Sequence, residues 1–151
     1  VQRPYGAYNF NEKVKCVVRK TNDMNTLHVQ GLNQTEKYIV GTYDLEILTL
    51  PRIYISKNAI EQSKLLTLEI PNAGVLQVKC LEAGDGCIMV KRHGKLDWVC
   101  NLSTETLQTF YLQPGDYVAA WRAKSLKGSI YTIEKKFSIT SDNQSVIEFF
   151  R

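Results

Sequence analysis

Long apolar runs, closely spaced cysteines and histidines in number are all missing from this 151-residue chain. No stretch approaches the ~20 apolar residues that a membrane-crossing helix needs. The most apolar windows, Val75 to Val78 and Val146 to Phe150, are strand-sized. The four cysteines, Cys16, Cys80, Cys87 and Cys100, form no C-x-x-C, and only His28 and His93 could join them, so no metal or cofactor is expected. The net charge of +4 is spread thinly over both halves and forms no concentrated basic stripe, which argues against nucleic acid as a partner. The densest basic runs, Lys91-Arg92-His93-Gly94-Lys95 and Lys135-Lys136, are expected to be solvated turns or edges. Val1-Gln2-Arg3-Pro4-Tyr5 has neither an initiator Met nor a signal-peptide core, so the chain is expected to be a piece of a longer polypeptide.

Catalytic signatures are equally scarce. No G-x-S-x-G, H-E-x-x-H, Walker A or G-x-G-x-x-G occurs. His28 alternates with Leu27 and Val29 and should face solvent; His93 should sit at a loop tip. Gly84-Asp85-Gly86 lacks the acidic ligands of a calcium loop and is expected to be a turn. Asp44 and Glu46 share a strand face, expected to be a wet sheet surface. The chain is therefore expected to hold no catalytic, cofactor-binding or metal-binding residue and not to be an enzyme. Sequons occur at Asn33, Asn101 and Asn143, and matter only in a glycosylating pathway.

What is present is a run of short alternating segments divided by Gly, Asn, Asp and Pro. Val14 to Val18, Tyr43 to Ile47 and Leu66 to Ile70 each alternate, and only Ser56 to Leu66 could host a turn or two of helix. Turn signals every ~8–12 residues predict an all-β sandwich or barrel. An internal repeat refines this. Gly41-Thr42-Tyr43 matches Gly115-Asp116-Tyr117; Ile60 to Ile70 matches Ile139 to Phe149; and Val14-Lys15-Cys16 resembles Val78-Lys79-Cys80. Two tandem small antiparallel β-sandwich modules are expected, over residues 14–72 and 75–151, after a linker or docking segment at 1–13. In each Gly-x-Tyr, Gly41 or Gly115 should supply a positive φ and the tyrosine should bury its ring while its hydroxyl reaches a backbone group. Pro114-Gly115 favours a type II turn.

One hairpin is specific enough for register. Cys87 to Arg92 and Leu96 to Cys100 read as strands joined by a two-residue His93-Gly94 turn of type I′. Met89 should then face Trp98, and Cys87 should face Cys100 as a cross-strand pair able to form a disulfide in an oxidising compartment.

Gln113-Pro114-Gly115-Asp116-Tyr117 resembles the P-G-x-Y turn of prealbumin-like modules, the group of transthyretin-like and carboxypeptidase-regulatory-like domains. More narrowly, Tyr43 to Tyr54 resembles a segment C-terminal to the von Willebrand factor A (VWA) domain in bacterial VWA-domain proteins, with similarity from about Asn9 onward. The resemblance implies an accessory region of an adhesion-type protein, extracytoplasmic or membrane-associated, with any membrane attachment lying in other parts of the full-length protein. The metal motif D-x-S-x-S is absent here, so no ion site carries over.

The aromatics fit that picture. Tyr43 should be buried in the core of the first module and Tyr117 at the equivalent place in a separate core of the second, where Trp121 should also pack; Trp98 and Tyr131 belong to the second module too. Tyr5, Tyr8 and Phe10 are candidates for docking against a neighbouring domain of the same polypeptide. The expected role is a structural or interaction region with protein partners; the alternative is a carbohydrate-binding module.

Overall fold

The computed structural model describes residues 14–124 and 132–150. Tyr5, Tyr8, Phe10 and Tyr131 lie outside the described residues. The described residues contain strands and no helix, as the alternating pattern requires. The chain divides into two compact units, Val1–Ile70 and Pro71–Arg151.

Unit 1 contains β1 (Lys15–Lys20), β2 (His28–Gly31), β3 (Gly41–Ile47) and β4 (Ile53–Ile60), in one antiparallel sheet of order β2-β1-β3-β4. Its core is Cys16, Val18, Tyr43 and Ile47, with Tyr38, Leu45, Ile53, Ile55 and Ile70 among the side chains packed against them. A second sheet was expected here; none is formed among the described residues. Ser56 to Ile60, read as a helical turn, completes β4, and Leu66 to Ile70, read as a strand, is not one.

Unit 2 contains β5 (Gly74–Cys80), β6 (Gly84–Arg92), β7 (Lys95–Leu102), β8 (Leu107–Leu112), β9 (Gly115–Ala123), β10 (Ile133–Ile139) and β11 (Gln144–Phe149). They form a four-stranded sheet, β10-β9-β6-β7, and a three-stranded sheet, β11-β5-β8. Side chains of both sheets make one core: Ile88, Tyr117, Ala119 and Trp121 from the larger, Leu76, Val78, Leu112 and Phe149 from the smaller. Trp121 stacks on Phe149 with centroids 5.6 Å apart, and Tyr117 stacks on Phe137 at 5.4 Å. The expectation of wholly antiparallel pairing is corrected at one place. β11 runs parallel to β5, from Gln144↔Val75 to Phe149↔Cys80. The chain leaves β10 at the edge of one sheet and enters the edge of the other, so it arrives running with β5.

The two tyrosines occupy matching positions. Tyr43 is 3% exposed and its hydroxyl donates to the Ile39 carbonyl at 2.5 Å; Tyr117 is 2% exposed and donates to the Gln113 carbonyl at 2.5 Å. Each reaches back four residues, the geometry of a tyrosine corner. Burial pushes the Tyr117 phenol up to about 12, which keeps its proton on the donor. Of the neighbouring glycines, Gly115 takes the expected positive φ and Gly41 does not. At φ 158°, however, Gly115 is far from the ~+80° of a type II turn, so Pro114 and Gly115 lead straight into β9.

Gly84-Asp85-Gly86, expected as a turn, opens β6 instead. Its glycines are steric necessities. A Cβ on Gly84 would lie 2.3 Å from Trp121 Nε1, and one on Gly86 would lie 2.2 Å from the Ala120 carbonyl oxygen. Nothing comparable crowds Gly41, whose nearest neighbour to a built Cβ is 3.8 Å away. Gly84→Ala should therefore lower stability by about 1–3 kcal/mol in urea unfolding, the range for overpacking. Gly41→Ala should change it by less than about 1 kcal/mol. Equal effects at the two positions would contradict the packing of Trp121 over Gly84.

Candidate interaction surface

The hairpin of β6 and β7 carries two exposed apolar side chains of unit 2, Leu96 and Trp98. His93 and Gly94 both take positive φ, 50° and 75°, as a type I′ turn demands, and Arg92 faces Lys95. Met89 faces Trp98. One residue farther along, the register slips, because Ile88 faces Cys100 and Val99 is an extra residue on β7. Cys87 consequently faces Asn101, and the expected Cys87–Cys100 pair is not formed. The turn has two residues, so the bulge alone displaces the pair. It sends Cys100 to the core face beside Ile88 and leaves Cys87 on the outer face, since successive residues alternate. All four cysteines are free.

On the outer face, Trp98, Met89, Val118 and Lys136 make a row across β7, β6, β9 and β10. Trp98 is 64% exposed, and Leu96, two residues along the same strand, is 48% exposed. The indole N–H of Trp98 donates to Asn101 Oδ1 at 2.9 Å, which holds the ring by its polar edge. β7 is the edge of its sheet, so this apolar face borders an open strand. Lys95 and Asp97 flank the two apolar residues with charge of both signs. Trp121, by contrast, is 2% exposed within the core.

The other candidate residues are dispersed. His28 lies exposed on β2, with Nε2 3.9 Å from Glu36 and its ring edge-on to Tyr38. His93 is exposed at the hairpin tip. Among the described residues no group of three His, Cys, Asp or Glu side chains could hold a metal. No helix among them is long and apolar enough to cross a membrane.

One polar cluster was misread as wet surface. Glu46 is 8% exposed and accepts from Arg19 at 2.8 Å and Arg52 at 2.5 Å. The Arg19 hydrogen bond, seconded by Arg52, holds its carboxyl below the ordinary range against the opposing effect of desolvation. Arg19 comes from β1, and Arg52 follows the cis Leu50–Pro51 bond. Partners from such separate segments leave no local pattern in sequence. The arrangement ties β1, β3 and the entry to β4 together and satisfies a carboxylate that would otherwise be buried alone.

No family model, no curated protein and no solved structure matches this chain.

Burial pushes the Cys100 thiol up to about 11, with the nearby Cys87 adding to the effect. At pH 8 its thiolate fraction should then be on the order of one in a thousand. Iodoacetamide should label Cys100 in the native chain far more slowly than a small thiol, with the rate climbing as pH rises toward 11. Labelling at the rate of a free thiol would show that the bulge does not turn Cys100 toward the core.

Proposed function

We propose that this chain is a non-catalytic interaction region of a larger bacterial protein of the VWA type, which spaces or buttresses a neighbouring domain and contacts protein partners. The observation that carries the interaction reading is the exposed pair of Trp98 and Leu96 on edge strand β7, with the half-buried Met89 facing Trp98. An exposed tryptophan beside a methionine and an aliphatic residue is the composition of a protein contact, where Trp and Met are enriched. The resemblance of Tyr43 to Tyr54 to a VWA-associated segment supports the wider assignment. With it come prealbumin-like modules and an extracytoplasmic or membrane-associated setting.

A carbohydrate-binding module is the second reading, and the same exposed indole favours it. Two features weigh against a sugar platform. The residue facing Trp98 is Met89 rather than a second ring, and Tyr111, also exposed, lies on β8 of the other sheet. The Trp98 N–H is also engaged by Asn101.

Acrylamide quenching separates these readings, with the Trp98 signal taken as the difference between the native chain and Trp98→Phe. In the isolated chain Trp98 should quench readily. In the full-length protein, or with its binding partner added, quenching of Trp98 should fall while that of Trp121 stays low. Protection by oligosaccharides alone would move the assignment to sugar binding. A specific turnover that vanishes on replacing His28 or His93 would overturn the non-catalytic reading.

A further inference from the structure

The hairpin that carries Leu96 and Trp98 leaves one side of β7 open. Among the described residues β7 pairs with β6 alone, and it ends its sheet in the order β10-β9-β6-β7. The backbone on that open side follows from the turn. Arg92 and Lys95 close a two-residue type I′ turn, so they form a hydrogen-bonded pair, and pair types alternate outward along the ladder. Leu96 opposite Lys91 and Trp98 opposite Met89 are therefore non-hydrogen-bonded pairs. Their N–H and C=O groups point away from β6, along the edge, where a further strand can take them. The two residues that offer backbone groups are the same two whose side chains are exposed, at 48% and 64%.

The opposite edge of the same sheet is blocked by like charge. β10 places Lys135 and Lys136 in succession, both exposed, so each face of that edge presents an ammonium group, which disfavours pairing. β7 has instead one charge of each sign. Lys95 and Asp97 bracket Leu96, both are exposed, and among the described residues neither is in an ion pair.

That spacing is complementary to itself. When two copies of β7 run antiparallel about a two-fold axis through Leu96, Lys95 of each copy faces Asp97 of the other. The backbone agrees with this register. Leu96 then meets its own counterpart in a hydrogen-bonded pair, and the Lys–Asp pairs fall in non-hydrogen-bonded places, where side chains are closest. Moving the axis by one residue sets lysine against lysine or aspartate against aspartate. The register about Leu96 also lays Trp98 opposite Gly94. A Cβ built on Gly94 meets nothing within 4 Å, so the indole has open space to cover.

We propose that β7 is a self-association edge, at which two copies of this chain join antiparallel through residues 94–98 and align their four-stranded sheets edge to edge. The proposal rests on the interaction reading above and names the partner at Leu96 and Trp98 as a second copy of the chain.

Sedimentation equilibrium of the chain and of charge-reversed variants tests this. As concentration is raised toward about 1 mM, the average mass should climb from 17.2 kDa toward twice that value. Lys95→Asp and Asp97→Lys each turn both cross-copy pairs into like charges, and each should weaken association at least about tenfold. Both positions are exposed, so neither change disturbs the core. Mixed in equal amounts, the two variants should associate with each other about as well as the native chain does with itself, because opposite charges again meet. A native chain that stays monomeric throughout would overturn the proposal, while protection of Trp98 in the full-length protein would still uphold the wider interaction reading. Association that neither single variant weakens would overturn it too, by placing the contact elsewhere. So would variants that weaken association singly and fail to pair when mixed.

Discussion

Two phenolic hydroxyls, each hydrogen-bonded to a carbonyl four residues upstream, anchor the parts of this structure that repeat. Tyr43 and Tyr117 bury large rings at the start of a central strand and bind the chain that leads into it. Burial of each ring puts apolar area into its core, and the hydrogen bond removes the cost of a hydroxyl away from water. The remaining strands follow from that placement. β1 and β4 flank β3, as β6 and β10 flank β9, and each core gathers around its tyrosine.

Much of this was legible in the sequence because it depends on local pattern. Period-two alternation identified β1 and β3, and the paired Gly-x-Tyr motifs marked the two corner tyrosines. The His93-Gly94 turn was readable because only a few residue types tolerate two positive φ values in succession. What failed depends on contacts between distant segments. Gly84-Asp85-Gly86 has a turn's composition, yet its glycines serve a strand that must clear the Trp121 indole. Leu66 to Ile70 has a strand's alternation, yet a strand exists only beside a partner. The parallel arrival of β11 follows from a crossover between sheets that no local pattern encodes.

The surface features were less legible than the core, and Val99 shows why. As a single extra residue on β7 it shifts the ladder by one beyond the Met89–Trp98 pair that the turn predicted, and separates Cys87 from Cys100 onto opposite faces. Composition cannot reveal a bulge whose cause lies in packing, since Val99 is an ordinary strand residue and is itself 7% exposed. Glu46 is a parallel case, with one arginine from a neighbouring strand and another from the loop before β4. The interaction face is thus a product of register, and register is set by the core behind it.

The central claim is that the chain is built twice around the same tyrosine anchor, with separate cores. Calorimetric unfolding of Tyr43→Phe and Tyr117→Phe tests it most directly, because each change removes one hydroxyl and strands one carbonyl at a cost of about 1–3 kcal/mol. The account predicts two transitions. Tyr43→Phe should lower only one of them and Tyr117→Phe only the other, each by about 4–8 °C per kcal/mol lost. A single transition displaced alike by both substitutions would contradict it.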